Sequence, residues 1–519
     1  MVWVALGLVR FALGARRFCR DVVTVPRALE TVRARQRDRE RLLIGTLRGA
    51  VFGNRRSPHA ALLHSAGCEP GDVERLVLAE GVEGALETLR RAGVYVSFEE
   101  FKGLAPAVRG SQRFVFRPRD FDNPLVTRHL TLTSGGSRAR PTRIITDLDY
   151  VAETAPHWAL WFEAHDWMAR TVILVSPSYP TFANRYLRCA RIGKPYQKWF
   201  VTAQSGSDAY GLASRFIHLV ARRASGSPPP SVVSFDHLDP VMEELANQAE
   251  RGMPPCVLSP ASTAAKLGGL ASAGGRSLAG VAFLLAGEPY TDARRRAIEA
   301  AGASGVPHYG SAEASPVGVQ CPRPAATDTV HVLSDLYTAI ADPRPQVDGI
   351  LLTGLLRAGP KILLNTDIGD VGRIERRPCD CLLGQLGYDL HLSGIRSFQK
   401  LTGDGTTFLG PDLYPLLEDV LPRRFGGATG DYQLLELQDA QGVARYALLV
   451  NPSIGPVAER ELVLAFLDGL ESLRPAYGLM VDQWRRGALL EVRREGPRVS
   501  ARGKVPPVQT LAGPDTSAP

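Results

Sequence analysis

The sequence predicts an α/β protein, with a large N-terminal domain of mostly parallel, helix-covered sheets and a small α+β C-terminal domain. Three observations lead there. At 519 residues the chain can bury a large core and divide into two or three domains. From about residue 130 short apolar runs alternate with helical stretches, as in a parallel sheet covered by helices. After about Ser397 the texture changes to a hairpin, a helix and one more strand. The expected division is a helical segment over 1–120 packed on the large domain, the large domain over 121–396, the small domain over 397–506 and a frayed tail over 507–519.

Taken in order, residues 1–50 read as helices, with a solvated, charge-dense run from Arg33 to Arg41. Met1–Phe18 is apolar but broken by Arg10, Arg16 and Arg17, and is too short to span a bilayer. It either packs on the body of the protein, the favoured reading, or lies on a membrane surface as an amphipathic helix. Residues 51–120 carry short helices such as Gly81–Arg91, and Phe116–Asp120 reads as a connector. Thr171–Val175, Ser231–Phe235 and Val281–Ala286 have the length of buried strands, and Ser225–Pro230 is a loop. Helices are expected at Pro240–Arg251 and at Asp292–Ala301, the latter capped by Thr291 and stopped by Gly302. Tyr432–Leu437 and Arg445–Val450 form the hairpin, Val457–Leu470 the helix and Leu489–Arg494 the last strand.

Apolar residues make up 45% and charged residues 22%, which excludes wholesale disorder. The net charge of +8 is carried mostly by arginine; there are seven lysines, Lys102, Lys194, Lys198, Lys266, Lys361, Lys400 and Lys504. This excess suits small anions such as nucleotides. No basic stripe with interleaved aromatics is present, so nucleic acid is not an expected partner. Seven scattered cysteines do not make a secreted disulfide framework, and a cytoplasmic location is expected.

The chain is organised around Val306-Pro307-His308-Tyr309-Gly310-Ser311-Ala312-Glu313. A Tyr-Gly turn that glycine crosses cheaply, followed by an acid, offers an aromatic face, backbone amides and a carboxylate to a nucleotide and its metal. Ligands of parallel sheets gather at the carboxyl ends of strands. Tyr309–Glu313 and Asn365–Asp370 both follow apolar runs and so are expected as loops on one crevice.

Four further stretches accompany it in order: Thr131-Leu132-Thr133-Ser134-Gly135-Gly136-Ser137, Ala286-Gly287-Glu288-Pro289, Asn365-Thr366-Asp367-Ile368-Gly369-Asp370 and Arg502-Gly503-Lys504. The series resembles the adenylate-forming (AMP-dependent synthetase/ligase) superfamily, most closely its phenylacetate–CoA ligase branch, from about Pro124 to Lys504. The resemblance implies a mobile small domain and ATP-dependent activation of an aryl or fatty acid to an acyl-adenylate. The acyl group then passes to a thiol, coenzyme A first, or else an acyl carrier protein or a protein cysteine. Thr133, Ser134, Gly135 and Ser137 would cradle the phosphates, and Gly310 and Ser311 would border the nucleotide. Tyr309 would stack on adenine, Glu313 would hold magnesium, Asp370 and Arg396 would reach the ribose, and Lys504 would neutralise the reacting anions. The acyl pocket would involve Tyr179–Tyr186, Leu284–Leu285 and Val306–His308, and the branch often forms homodimers. The chain departs from the pattern in three places. Arg138-Ala139-Arg140-Pro141 stands where the family has Thr-Gly-Lys-Pro, Asp367-Ile368 replaces Arg-Thr, and Ile395 replaces a glycine before Arg396. The altered phosphate loop keeps a non-catalytic, nucleotide-binding relative open as the alternative.

A separate signal is Cys379-Asp380-Cys381 with Cys321 and His331 upstream. Four N/S donors suit a structural zinc, and the branch resembled often has ligands at these relative places. In that case zinc would tie the Glu313 and Asp370 loops together; otherwise the four are unrelated residues in a reducing compartment.

Overall fold

The computed structural model describes residues 2–126, 130–133, 143–176, 183–203, 212–234, 237–344, 348–397, 400–403, 406–409, 412–438, 444–473, 477–487, 490–499 and 505–510. Twelve of the described strands share one sheet. They are β1 (Val172–Ser176), β2 (Lys198–Ala203), β3 (Ser231–Ser234), β4 (Cys256–Ser259), β5 (Ala282–Ala286), β6 (Ser304–Tyr309), β7 (Gly318–Val319), β8 (Val330–Val332), β9 (Tyr337–Asp342), β10 (Gly349–Gly354), β11 (Thr366–Arg376) and β12 (Leu390–Ser397). Their spatial order is β9-β10-β11-β12-β8-β7-β6-β5-β4-β1-β2-β3. From β6 to β3 all pairing is parallel. From β7 to β9 it is antiparallel, as is the β6–β7 pair. Every residue of β4 and β5 is buried, which is why these strands read as unbroken apolar runs.

Five of the described helices frame the site and one outer face of the molecule: α1 (Val2–Arg20), α2 (Phe98–Lys102), α3 (Leu148–Ala164), α4 (Leu212–Ser225) and α5 (Asp292–Glu299). α5 starts as expected, with the Thr291 hydroxyl accepting the Arg294 N–H at 3.3 Å. α1 packs on the body, burying Phe11, Ala15 and Phe18 against Leu148, Leu187 and Ile217. No described helix is long and apolar enough to cross a membrane.

Beyond β12, four of the described strands, β13 (Tyr432–Gln438), β14 (Ala444–Val450), β15 (Leu490–Arg493) and β16 (Val508–Thr510), form a second, smaller sheet in the order β15-β14-β13-β16. The helices α6 (Glu459–Leu473) and α7 (Gly478–Gly487) accompany it. Its core of Leu434, Leu448, Phe466 and Trp484 is separate from the main core.

Several local expectations change. Ser231–Ser234, expected as a buried strand, is an edge strand with no buried residue, and the tail expected to fray from 507 supplies β16, paired with β13. The short helix at Gly81–Arg91 is the second half of Pro70–Arg91, broken where Gly81 takes φ 72°. Phe116, expected in a connector, is buried and meets Phe121 edge-on. Asn365–Asp370 is not a loop: Asn365 turns, at φ 45°, and β11 begins at Thr366 and runs on through Gly369, at φ 95°. The cause is non-local, because the Asp367 N–H donates to Val96 O at 2.8 Å and the Val96 N–H to Asn365 O at 3.0 Å.

Candidate active site

Tyr309 ends the last parallel strand, where pairing in the sheet reverses. The residues after it make a tight turn: the Ser311 hydroxyl accepts the N–H groups of Glu313 and Ala314 at 3.2 and 3.1 Å. Gly310 is needed here for space rather than for a left-handed backbone. Its φ is not positive, and a Cβ on it would lie 3.0 Å from the Ser315 side chain and 3.1 Å from Ala314 O. The turn is pinned from below. The Tyr150 hydroxyl, on α3, accepts the Ser315 N–H at 2.8 Å and donates to Ser315 O, and Arg188 donates to the same carbonyl at 2.7 Å.

The structure brings Tyr309, Glu313 and Asp370 together. Antiparallel pairing sets Asp370 of β11 opposite Ser397 of β12. The Tyr309 hydroxyl donates to Asp370 Oδ2 at 2.9 Å. Burial first, then the charge of Asp370, with Asp367 and Glu313 farther out, pushes the Tyr309 phenol well above its usual range. Three carboxylates therefore act on one half-buried aromatic ring. Asp367 is buried; it accepts the Gly369 N–H at 2.6 Å and an Arg344 guanidinium, yet burial still leaves its carboxyl above the usual range.

Glu313 is buried and ion-paired with Lys102, Nζ to Oε1 at 2.9 Å. The helical N-terminal segment delivers this lysine. α2 opens with a Ser97–Glu100 capping box, closes at Gly103 in the left-handed region, and leaves Lys102 in its last turn. A second lysine, Lys361, is buried nearby, donating to Asp122 Oδ1 at 2.6 Å and to Pro118 O at 2.7 Å. Burial lowers its pKa; Asp122, and Glu313 more weakly, oppose that. Sequence reasoning missed both, although scarcity alone marked them: they are two of seven lysines in the chain.

Arg396 lies opposite Val371 in the ladder, one residue from Asp370, but its guanidinium donates to Asp328 Oδ2 at 2.7 Å and to Ile395 O at 2.8 Å. Thr133 ends a described strand. Ser134, Gly135, Ser137 and Lys504 lie outside the described residues, as do 177–182 of the expected acyl pocket. The Glu288 expected from the Gly-x-Glu-Pro stretch meets the small domain instead. Its Oε1 accepts the Val505 N–H at 3.2 Å, and Arg294 holds its Oε2 at 3.3 Å.

The ligand atoms of Cys321, His331, Cys379 and Cys381 all lie within 4.8 Å of one another. The Cys321–Cys379 sulfur separation is 3.9 Å, and Cys381 Sγ is 3.4 Å from His331 Nε2. Zinc–sulfur bonds of about 2.3 Å in a tetrahedron separate two sulfurs by about 3.8 Å, so the donor set fits the ion. His331 Nδ1 lies 2.7 Å from Tyr388 O; a carbonyl only accepts, so the proton sits on Nδ1 and Nε2 offers its lone pair to the cluster. Cys381 accepts from Cys321, and this, with His331 and the Gly384 N–H, outweighs burial and holds its thiol below the usual range.

The fold is thus a large, partly parallel sheet wrapped by helices, followed by a small α+β domain after the last strand of that sheet. The chain shares it with 2-hydroxyisobutyryl-CoA ligase in its postadenylation state. With R3-HIB-AMP bound, that structure matches at 15% identity and a TM-score of 0.51, over 95% of this chain and 91% of the other. With 2-HIB-AMP bound, the match is at 14% identity and a TM-score of 0.50, over the same shares. No family model matches the sequence, and no curated protein matches it either.

Proposed function

We propose that the protein is an AMP-forming acid–thiol ligase of the phenylacetate–CoA ligase kind. It would activate an aryl or fatty acid with ATP and pass the acyl group to coenzyme A, or alternatively to an acyl carrier protein. The observation that carries this reading is the convergence of Tyr309, Glu313 and Asp370 at the carboxyl end of the last parallel strand. The two structures of 2-hydroxyisobutyryl-CoA ligase that share this fold hold R3-HIB-AMP and 2-HIB-AMP. The Cys/His cluster supports the narrower branch, and the two separate cores support a domain boundary near Ser397.

Adenylation drives a carboxylate against the α-phosphate of ATP, so the site must neutralise two anions. Magnesium, held by Glu313, would supply the largest share of that charge. Lys102 would leave Glu313 for the phosphates once the metal arrives, compensating for the lysine absent from the phosphate loop. Tyr309 offers its ring face to adenine, and Asp370, freed of the Tyr309 hydroxyl, accepts both ribose hydroxyls. Thr133, Ser134, Gly135, Ser137, Gly310 and Ser311 supply donors around the phosphates, Arg396 completes the ribose side on leaving Asp328, and Lys504 reaches the reacting oxygens.

Carboxylate-dependent exchange of labelled pyrophosphate into ATP tests the reading. Exchange with at least one aryl or fatty acid is expected, lowered roughly 100-fold or more by Lys504→Ala. The Lys102–Glu313 pair, which leaves the metal-binding carboxylate already neutralised, favours one second reading: a relative that binds nucleotide without turnover. ATP binding with no exchange across the acid panel would select it, and neither binding nor exchange would end both.

A further inference from the structure

Away from this site, α1 and α4 pack side by side, and both leave apolar side chains exposed. α1 turns Phe11 and Ala15 inward onto Ile217 and Ala221 of α4. On its outer side Leu6, Val9 and Leu13 are 40%, 53% and 79% exposed, and on α4 Phe216 and Leu219 are 39% and 42% exposed. At 100° per residue Leu6, Val9, Leu13, Arg16, Arg17 and Arg20 fall on one side of α1, apolar toward its start and basic toward its end. Neither helix contains an aspartate or glutamate, and α4 ends in Arg222 and Arg223.

Scattered exposed leucines need no explanation, but an apolar stripe running into an acid-free arginine band is a pattern with a partner. A second copy fits it poorly: a two-fold interface presses the same patch on itself, and here that sets arginines against arginines or against the apolar stripe. An anionic lipid surface meets both halves at once. We propose that the α1/α4 face docks on an anionic membrane surface, its leucines and valine entering the boundary between headgroups and acyl chains while the arginines meet lipid phosphates. This docking does not depend on the reaction proposed above.

The test is co-sedimentation of the full chain with phosphatidylcholine vesicles with and without phosphatidylglycerol. Binding only to the anionic vesicles is expected, weakened by added salt and reduced about tenfold by either Leu13→Asp or the pair Arg16→Glu and Arg17→Glu. These positions are exposed, so near-UV circular dichroism should not change; Leu13→Ser is a milder second variant. No binding to anionic vesicles would overturn the proposal, as would binding that both Leu13 variants leave intact. Sedimentation equilibrium showing a dimer that Leu13→Asp dissociates would assign the face to a second copy instead.

Discussion

Glu313 is held out of water by a lysine that sits 211 positions earlier in the chain. Both side chains of the pair are nearly buried, 11% and 7% exposed, so removing one strands the other. Lys102→Met is expected to lower stability by about 1–3 kcal/mol in urea unfolding, with pyrophosphate exchange falling as well, while Lys102→Arg retains the stability. Tyr309→Phe deletes the donor to Asp370 but keeps the ring. Stability should fall by about 1 kcal/mol and ATP affinity should change by less than about tenfold, as calorimetry would show. His59 gives a pH dependence. It is fully buried, one ring nitrogen meets Ile362 O at 3.1 Å, and burial depresses its pKa from 6.5 to about 4. The folded state then resists a proton that the unfolded chain accepts. This contribution is whole above pH 6.5 and declines by about 3 kcal/mol as pH falls to 4. His59→Phe should flatten that part of the stability–pH curve in denaturant titrations.

Among the elements, the turn after β6 and the strand β11 are the two that must stay in register, since one carries Glu313 and the other Asp370. The Cys/His cluster ties them: Cys321 follows β7 by two residues, and Cys379 and Cys381 follow β11. One zinc per chain is expected by elemental analysis under reducing conditions. Cys379→Ser or prolonged chelation should remove it and lower the melting temperature by several degrees, since the ion's binding energy contributes to folding. The four residues could be named from the sequence because donor type and the Cys-x-Cys spacing are local properties and the resemblance implied the rest. Their closeness in space, across the ladder from β6 to β12, was not in the letters. For Gly310 the residue was legible but not its reason: only the packed turn shows a glycine chosen for the Ser315 contact.

Across the whole molecule, the two domains meet at Arg294. This side chain is fully buried between Glu288 of the large domain, at 3.3 Å, and Glu418 of the small one, at 2.7 Å, with the Thr291 hydroxyl also donating to Glu418 at 2.5 Å. The two carboxylates outweigh burial and hold the guanidinium above its usual pKa. Arg294→Ala leaves two buried acids facing each other and should cost about 3–5 kcal/mol in urea unfolding, part of which Glu418→Gln restores.

By itself the sequence determined the α/β class, the parallel half of the sheet, the small domain's hairpin and helix, and the order of motifs around Tyr309 and Glu313. Apolar periodicity, caps and turn residues act over a few positions, so they are written in the chain. Only the tertiary structure decided that Lys102 faces Glu313, that Tyr309 donates to Asp370, that Asn365–Asp370 opens a strand and that Arg294 joins the domains. Each of those contacts links residues 61 to 271 positions apart. Which of many compatible partners a polar group finds at that range is fixed by how the sheet and helices pack, not by its neighbours in sequence.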